Sequence, residues 1–253
     1  MIVLNKTKYF ILGILLLVIV WQLIVTIGQY EEALFPAPLV VLKAISSLMI
    51  SGDLWIHLKD SLFRFVVGYL SAAVPAILLG LLLGRSEKLW SLIDPIVQVL
   101  RPISPVAWSP FIVLWFGIGN MPAIVIIFIA AFYPILLTTV NGVRRVDEHY
   151  LKIAANLQFR KSELMTKIIF PASLPAIVSG LRIALGTAWI FLVAGEMIGS
   201  QSGLGYLIVD ARNTLDLDFV FAGIVVIGLF GFILDRLITF VEFLLKKYHG
   251  YHI

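Results

Sequence analysis

GVRRVDEHYLKIAANLQFRKSELMTKIIF, residues 142–170, is the only interior run of this chain dense in charge, and apolar stretches long enough to cross a bilayer lie on both sides of it. The pattern predicts a short helix over 149–157, a turn over 158–160 and a second helix from Ser162. Ser162 is the expected N-cap, with Glu163 in the first turn where the helix dipole favours an acid. Ala154 and Ala155 leave one face of the first helix nearly flat, open to close approach by another backbone. A charged helical hairpin between two spans reads as a docking element; a solvated linker is the plain alternative.

Outward from that segment, the chain divides into six apolar spans. The first, 9–28, is preceded by Lys6 and Lys8 and is too long for a signal-peptide core. After Glu31, Glu32 and the Phe35-Pro36-Ala37-Pro38 turn, apolar residues at Val40, Val41, Ala44, Ile45 and Leu48 predict an interfacial helix along the outer surface, with Trp55 at headgroup depth. Span two covers 61–84. Span three is interrupted by Asp94, Pro95, Arg101, Pro102, Pro105 and Pro110, and broken backbone at membrane depth belongs beside protein or a water-filled path. Span four covers 121–140, span five 176–198 and span six 219–245, with a Gly-, Ser- and Asp-containing loop over 199–218.

Composition agrees. The chain is 60% hydrophobic and 13% charged, against about 45–50% and about 25% in soluble domains, which makes it an integral membrane protein. With no cysteine, thiolate metal sites, thiol nucleophiles and disulfides are excluded. The net charge of +4 follows membrane topology rather than nucleic acid. Lys6, Lys8, Arg85, Lys88, Arg144, Arg145, Lys152, Arg160, Lys161, Lys167, Lys246 and Lys247 fall on one side, against Lys43, Lys59 and Arg212 on the other. That bias puts residues 142–170 and both termini in the cytoplasm. No internal repeat is visible, which weighs against the paired-half plan of secondary transporters.

Several stretches together resemble one family. Lys152-Ile153-Ala154-Ala155-Asn156-Leu157-Gln158, followed by Phe170-Pro171-Ala172-Ser173-Leu174-Pro175, is similar to the cytoplasmic signature of permease subunits of bacterial ATP-binding-cassette importers: Glu-Ala-Ala, three residues, Gly, and later a Leu-Pro. Arg101-Pro102-Ile103-Ser104-Pro105, Trp115-Phe116-Gly117-Ile118-Gly119, residues 180–186, Ala194-Gly195-Glu196-Met197 and residues 202–206 resemble the subgroup that imports sulfonates, taurine, nitrate or bicarbonate, some relatives carrying pyrimidine precursors. The resemblance implies an all-α membrane protein with the six-helix fold of a type I importer permease, a single domain over 1–253 in the bacterial cytoplasmic membrane. It also implies a second permease copy, a cytoplasmic ATPase that uses ATP and Mg, and an extracytoplasmic binding protein. No cofactor or metal belongs to the chain itself. The implied coupling residues are His149, Lys152, Ile153, Ala154, Ala155, Leu157 and Gln158. The chain departs from the signature at Lys152, Ile153 and Gln158, which stand at its Glu, first Ala and Gly positions.

The candidate translocation path consists of Arg101, Ser104, Trp108, Arg182, Trp189 and Glu196. Arg182 lies about 16 Å beyond Pro171, which opens the helix of span five, and so near mid-bilayer, where a cation either attracts an anionic substrate or is clasped by carbonyls or by Asp94 or Asp235. Glu196 is an odd lining for an anion and reads rather as an ion-pair partner or loop anchor. Arg101 is a gate or path residue, and Arg64 a snorkelling or clasp residue. Trp108 follows the proline-broken stretch; Trp189 sits two turns beyond Arg182 on one face. Gly203 and Gly205 mark a loop that the resemblance makes a binding-protein contact. The chain has no phosphate-binding Gly-rich Lys motif, so ATP hydrolysis belongs elsewhere. A membrane-embedded enzyme is disfavoured because His57, His149, His249 and His252 all fall outside the predicted spans.

Overall fold

A computed structural model of the chain describes residues 2–31 and 34–249, with side chains for 8–31, 34–154 and 156–240. Glu32, the side chains of Lys6, Ala155, Lys246, Lys247 and His249, and His252 lie outside what is described. The described residues are nearly all helical: α1 (Ile2–Gly28), α2 (Pro38–Ser51), α3 (Asp53–Arg85), α4 (Glu87–Leu100), α5 (Ser109–Phe116), α6 (Asn120–Arg144), α7 (Glu148–Asn156), α8 (Lys161–Leu164), α9 (Phe170–Gly199), α10 (Leu204–Thr214) and α11 (Leu217–His249).

Five helical stretches are long and apolar enough to cross a membrane: Lys8–Gly28, Asp53–Arg85, Asn120–Arg144, Lys161–Gly199 and Leu217–Phe240. A sixth is formed by Glu87–Leu100 with Pro105–Phe116, bent by 83°. The bend falls where Pro102 and Pro105 remove backbone donors. Despite the bend the pair travels from one end of the bundle to the other. Its start adjoins Arg85, and beyond its far end Gly119 N donates to Gly199 O at 2.7 Å.

The core is a layer of three helices, α6 lying between α3 and α9. Small residues allow the close packing that bilayer helices depend on. A Cβ at Gly80 would meet Thr139 of α6 at 2.6 Å, and one at Gly142 would meet Ala176 of α9 at 2.5 Å. Tyr69 OH crosses this layer to Leu181 O at 2.7 Å. Around it, α1 meets α11 through stacked rings, Trp21 on Phe221 and Phe10 on Phe232.

Three expectations change. The apolar stripe of α2 is buried at Val41, Ala44 and Leu48 against α3 and α11, so it packs on protein instead of resting on headgroups. The stretch after span five is no simple loop but carries α10. Leu204, Leu207 and Ala211, at helical spacing, are buried there, an apolar stripe masked in the sequence by the glycines and polar residues around it. His57 lies in the second turn of α3, because that helix starts at Asp53, eight residues before the predicted span.

Candidate functional site

The bundle has one end that carries residues 145–160 and an opposite end where the α9–α10 turn closes over α3 and α6. At the opposite end a polar network is sealed in. Arg64 and Glu196 are each 1% exposed and Ser61 is fully buried. Arg64 Nη1 donates to Glu196 Oε1 at 2.7 Å and to Ser202 O at 2.6 Å. Its Nη2 donates to Ser202 Oγ at 2.6 Å and its Nε to Asn120 Oδ1 at 2.8 Å. Ser61 Oγ lies 2.8 and 2.9 Å from the two Glu196 oxygens and accepts from Leu204 N at 2.8 Å. Gly205 N donates to Glu196 Oε2 at 2.9 Å, and Gly203 N to His57 Nδ1 at 3.0 Å.

A buried charge survives only when its remaining donors and acceptors are also satisfied, and among the described residues no buried side-chain nitrogen or oxygen lacks a partner. Gly203 is needed twice over. Its φ is +103°, and a Cβ there would strike Glu196 and Arg64. The network ties α3, α6 and α9 to the turn leading into α10. Glu196 is thus held as an ion-pair partner and loop anchor, the reading favoured for it over a path lining, and Arg64 is its clasp.

At mid-bundle, the bent pair encloses a cavity of about 250 Å³ lined by Arg101, Ser104, Tyr133, Thr187 and Phe191, among others. No ion pair or hydrogen bond is formed by the Arg101 guanidinium among the described residues. The cavity thus offers one cation and several hydroxyls in a largely apolar wall, a set suited to a small anion with hydrogen-bond acceptors. Arg101 and Ser104 are brought together as expected, whereas the other path candidates lie elsewhere. Arg182 Nη2 is 3.7 Å from Asp235 Oδ1 of α11, one of the clasps foreseen for it. Trp189 is buried, donates to Ile227 O at 3.1 Å and packs edge-on against Phe65. It shares the α11-facing side of α9 with Arg182, away from the cavity. Trp108 is half-buried in the 3₁₀ turn Pro105–Trp108 and does not line the cavity. Tyr133, one of the aromatics on the spans weighed for a path role, lines the cavity, whereas Thr187 was missed; its only signal was a hydroxyl in an apolar run.

At the other end, α7 divides into two faces. Leu151 lines a cavity with Gly84, Arg85, Val143 and Ile169, and Ala154 is 2% exposed. Tyr150, Ile153 and Leu157, at i, i+3 and i+7, stand 58, 54 and 62% exposed, with His149, Lys152 and Gln158 exposed beside them. The flat face expected at Ala154 is thus turned inward, and the outward face is a large apolar stripe. The helix closes with Phe159 N donating to Ala154 O at 3.0 Å and Gln158 at φ +55°. That left-handed position explains why glycine suits the signature there. The next helix is capped two residues earlier than expected: Arg160, not Ser162, is the N-cap, and its N–H donates to Glu163 Oε2 at 3.0 Å.

Comparison with known proteins agrees with this geometry. Residues 76–247 match the family described as binding-protein-dependent transport system inner membrane component. Similar proteins include an aliphatic sulfonates transport permease protein of Bacillus subtilis, 36% identical over 92% of this chain and 85% of the relative. The taurine transport system permease protein of Escherichia coli is 33% identical over 92% and 87%, and the nitrate import permease protein of Synechocystis 35% over 91% and 86%. Among solved structures, an inward-facing methionine ABC transporter matches with a TM-score of 0.60 at 20% identity, covering 74% of this chain and 97% of that one. An amino acid ABC transporter matches at 0.56 and 18%, covering 80% and 94%. These two share the fold.

Proposed function

The chain belongs to the family of binding-protein-dependent transport system inner membrane components, and from that premise we propose that it conducts a small oxyanion, a sulfonate or taurine, past the Arg101 cavity. It is a multi-pass inner-membrane protein and the membrane-spanning subunit of an ABC importer; ATP hydrolysis occurs in a separate ATPase subunit, and a substrate-binding protein is the other partner of such a permease. The observation that carries the oxyanion reading is the Arg101 guanidinium, which lines the cavity at the bend of the helix pair and has no ion pair among the described residues. A cation within an apolar span is costly unless a cavity or an anion attends it. Nitrate, imported by the Synechocystis relative, is the alternative cargo of the same chemistry.

Residues 145–160 and both termini face the cytoplasm on the positive-inside bias, and the permease works as a homodimer. The exposed stripe of Tyr150, Ile153 and Leu157, on a helix outside the spans, supports docking of α7 in a groove of the ATPase, with His149, Lys152 and Gln158 at its edge. Mg-ATP binding closes the ATPase pair, α7 moves with it, and the bundles splay to open the path outward; hydrolysis resets them. At the far side the clasp holds the turn at Gly203 and Gly205 in shape to meet the binding protein.

The test is ATPase activity of the permease co-purified with its ATPase and binding protein in lipid discs, across taurine, an alkanesulfonate, nitrate, bicarbonate and a neutral pyrimidine. Stimulation by taurine or a sulfonate, only with binding protein present, supports the reading. Stimulation by the pyrimidine alone refutes an oxyanion path.

A further inference from the structure

A second basic cavity, of about 460 Å³, opens between the end of α3 and α8, lined by Leu82, Arg85, Ser86, Lys161, Leu164, Met165 and Ile169. Its size is that of a small-molecule site, about 300–1,000 Å³. Its lining is split by chemistry: Arg85, Ser86 and Lys161 offer two cations and a hydroxyl, and the other four are apolar. Neither cation has an ion pair among the described residues. Ser86 Oγ accepts from Leu89 N at 3.4 Å, which leaves its O–H to donate.

The position of these residues selects the ligand. Arg85 is the last residue of one candidate span, and Lys161 the first of a 39-residue helical stretch longer than a bilayer core, so Arg85 stands near the membrane boundary with Lys161 on its cytoplasmic side. Leu82, a turn deeper on α3, is 59% exposed. Its apolar surface continues the cavity toward the hydrocarbon. The neighbouring cavity also reaches Arg85 but contains Glu87, Arg144, Glu148 and Leu151. That one includes the docking helix and mixed charge, whereas this one contains no residue of α7 and no acid. A cationic rim over an apolar floor at the cytoplasmic boundary fits an oxyanion that carries acyl chains.

We propose that this cavity binds the phosphate headgroup of an anionic phospholipid of the cytoplasmic leaflet, Arg85, Ser86 and Lys161 engaging the phosphate and Leu82 flanking an acyl chain. The assignment rests on the orientation proposed above. The same rim chemistry suits free phosphate or sulfate, and the experiment separates the sources. The permease, purified with its ATPase, is delipidated, titrated with phosphatidylglycerol or phosphatidylcholine, and read by native mass spectrometry.

Wild type is expected to retain phosphatidylglycerol over phosphatidylcholine, and Arg85→Gln with Lys161→Gln to weaken that retention by about thirtyfold. Arg85→Lys should retain most of it. Both positions are exposed, so the variants should fold, which co-purification of the ATPase verifies. Equal retention by wild type and the double variant overturns the proposal. So does inorganic phosphate displacing the lipid at equal concentration, which would make the site one for a soluble oxyanion. Loss of the ATPase from wild type would instead count against the docking role of α7 and leave the lipid readout intact.

Discussion

Arg64 and Glu196 stand 2.7 Å apart with side chains 2% and 0% exposed, whereas Lys152 and Glu148 stand 3.3 Å apart with side chains 70% and 81% exposed. The two pairs have the same chemistry at opposite ends of one bundle. At the Arg64 end no water is available to replace a lost partner, so the guanidinium depends on Glu196, Asn120 and Ser202 together. At the Lys152 end water and salt screen the pair, and it contributes little. The buried network can hold a shape through a transport cycle. The exposed end carries its energy in apolar side chains, Tyr150, Ile153 and Leu157, which have no protein cover within the chain. One end is closed on itself; the other leaves an apolar stripe exposed, which the proposed ATPase contact would cover.

The largest effect expected from breaking this contrast is at Glu196. Glu196→Ala leaves Arg64 buried without its anion and should destabilise the permease by roughly 3–5 kcal/mol, read as thermal unfolding of the purified protein in detergent. A melting temperature unchanged from wild type would mean that the network does not hold α3 to α9. Adding Arg64→Met to Glu196→Leu should recover part of the loss, because the pair is then removed together.

On the exposed end the expectation is reversed. Ile153→Asp should leave unfolding unchanged but weaken association with the ATPase by about thirtyfold, in the range of an interface hot spot of ~2 kcal/mol, measured by pull-down titration. Ala154→Arg, one residue along, should instead unfold α7, since Ala154 is buried. If Ala154→Arg docks normally and Ile153→Asp does too, the outward face of α7 has been misassigned.

Arg101→Gln should lower uptake of the anionic cargo by about tenfold, the loss of one charge-assisted hydrogen bond, while binding-protein-stimulated ATPase persists. Uptake equal to wild type would place the path elsewhere. The smallest effect belongs to Lys152→Glu: no measurable change in melting temperature, and a change of a few-fold in ATPase affinity that fades with added salt. A large, salt-independent loss would make Lys152 a desolvated contact rather than a screened one.

Much of this was legible in the linear chain. Spans of about 20 apolar residues must be helical where backbone groups have no water to bond, so the six-span plan, the break near Pro102 and the charged helical hairpin could all be read in order. The site residues were legible only in part. Arg101 and Ser104 share a cavity as expected because they are neighbours within the proline-broken stretch. Arg182, Trp189 and Glu196 could not be apportioned, since their partners Asp235, Ile227 and Arg64 are 53, 38 and 132 residues distant. The inward turn of Ala154 was hidden for a similar reason. A small residue on an amphipathic helix marks close approach, and nothing local says whether the approaching body is the chain itself or a partner.

The sequence by itself determined the class of molecule, its helices and the break in its third span, because hydropathy and proline placement act within a few residues or across a single bilayer. Only the tertiary structure decided which charges are sealed and which are free. Burial of a cation is set by the helices packed around it, and the choice among Asp94, Asp235 and a substrate for Arg182, or between snorkelling and a clasp for Arg64, is made by contacts that no local pattern encodes.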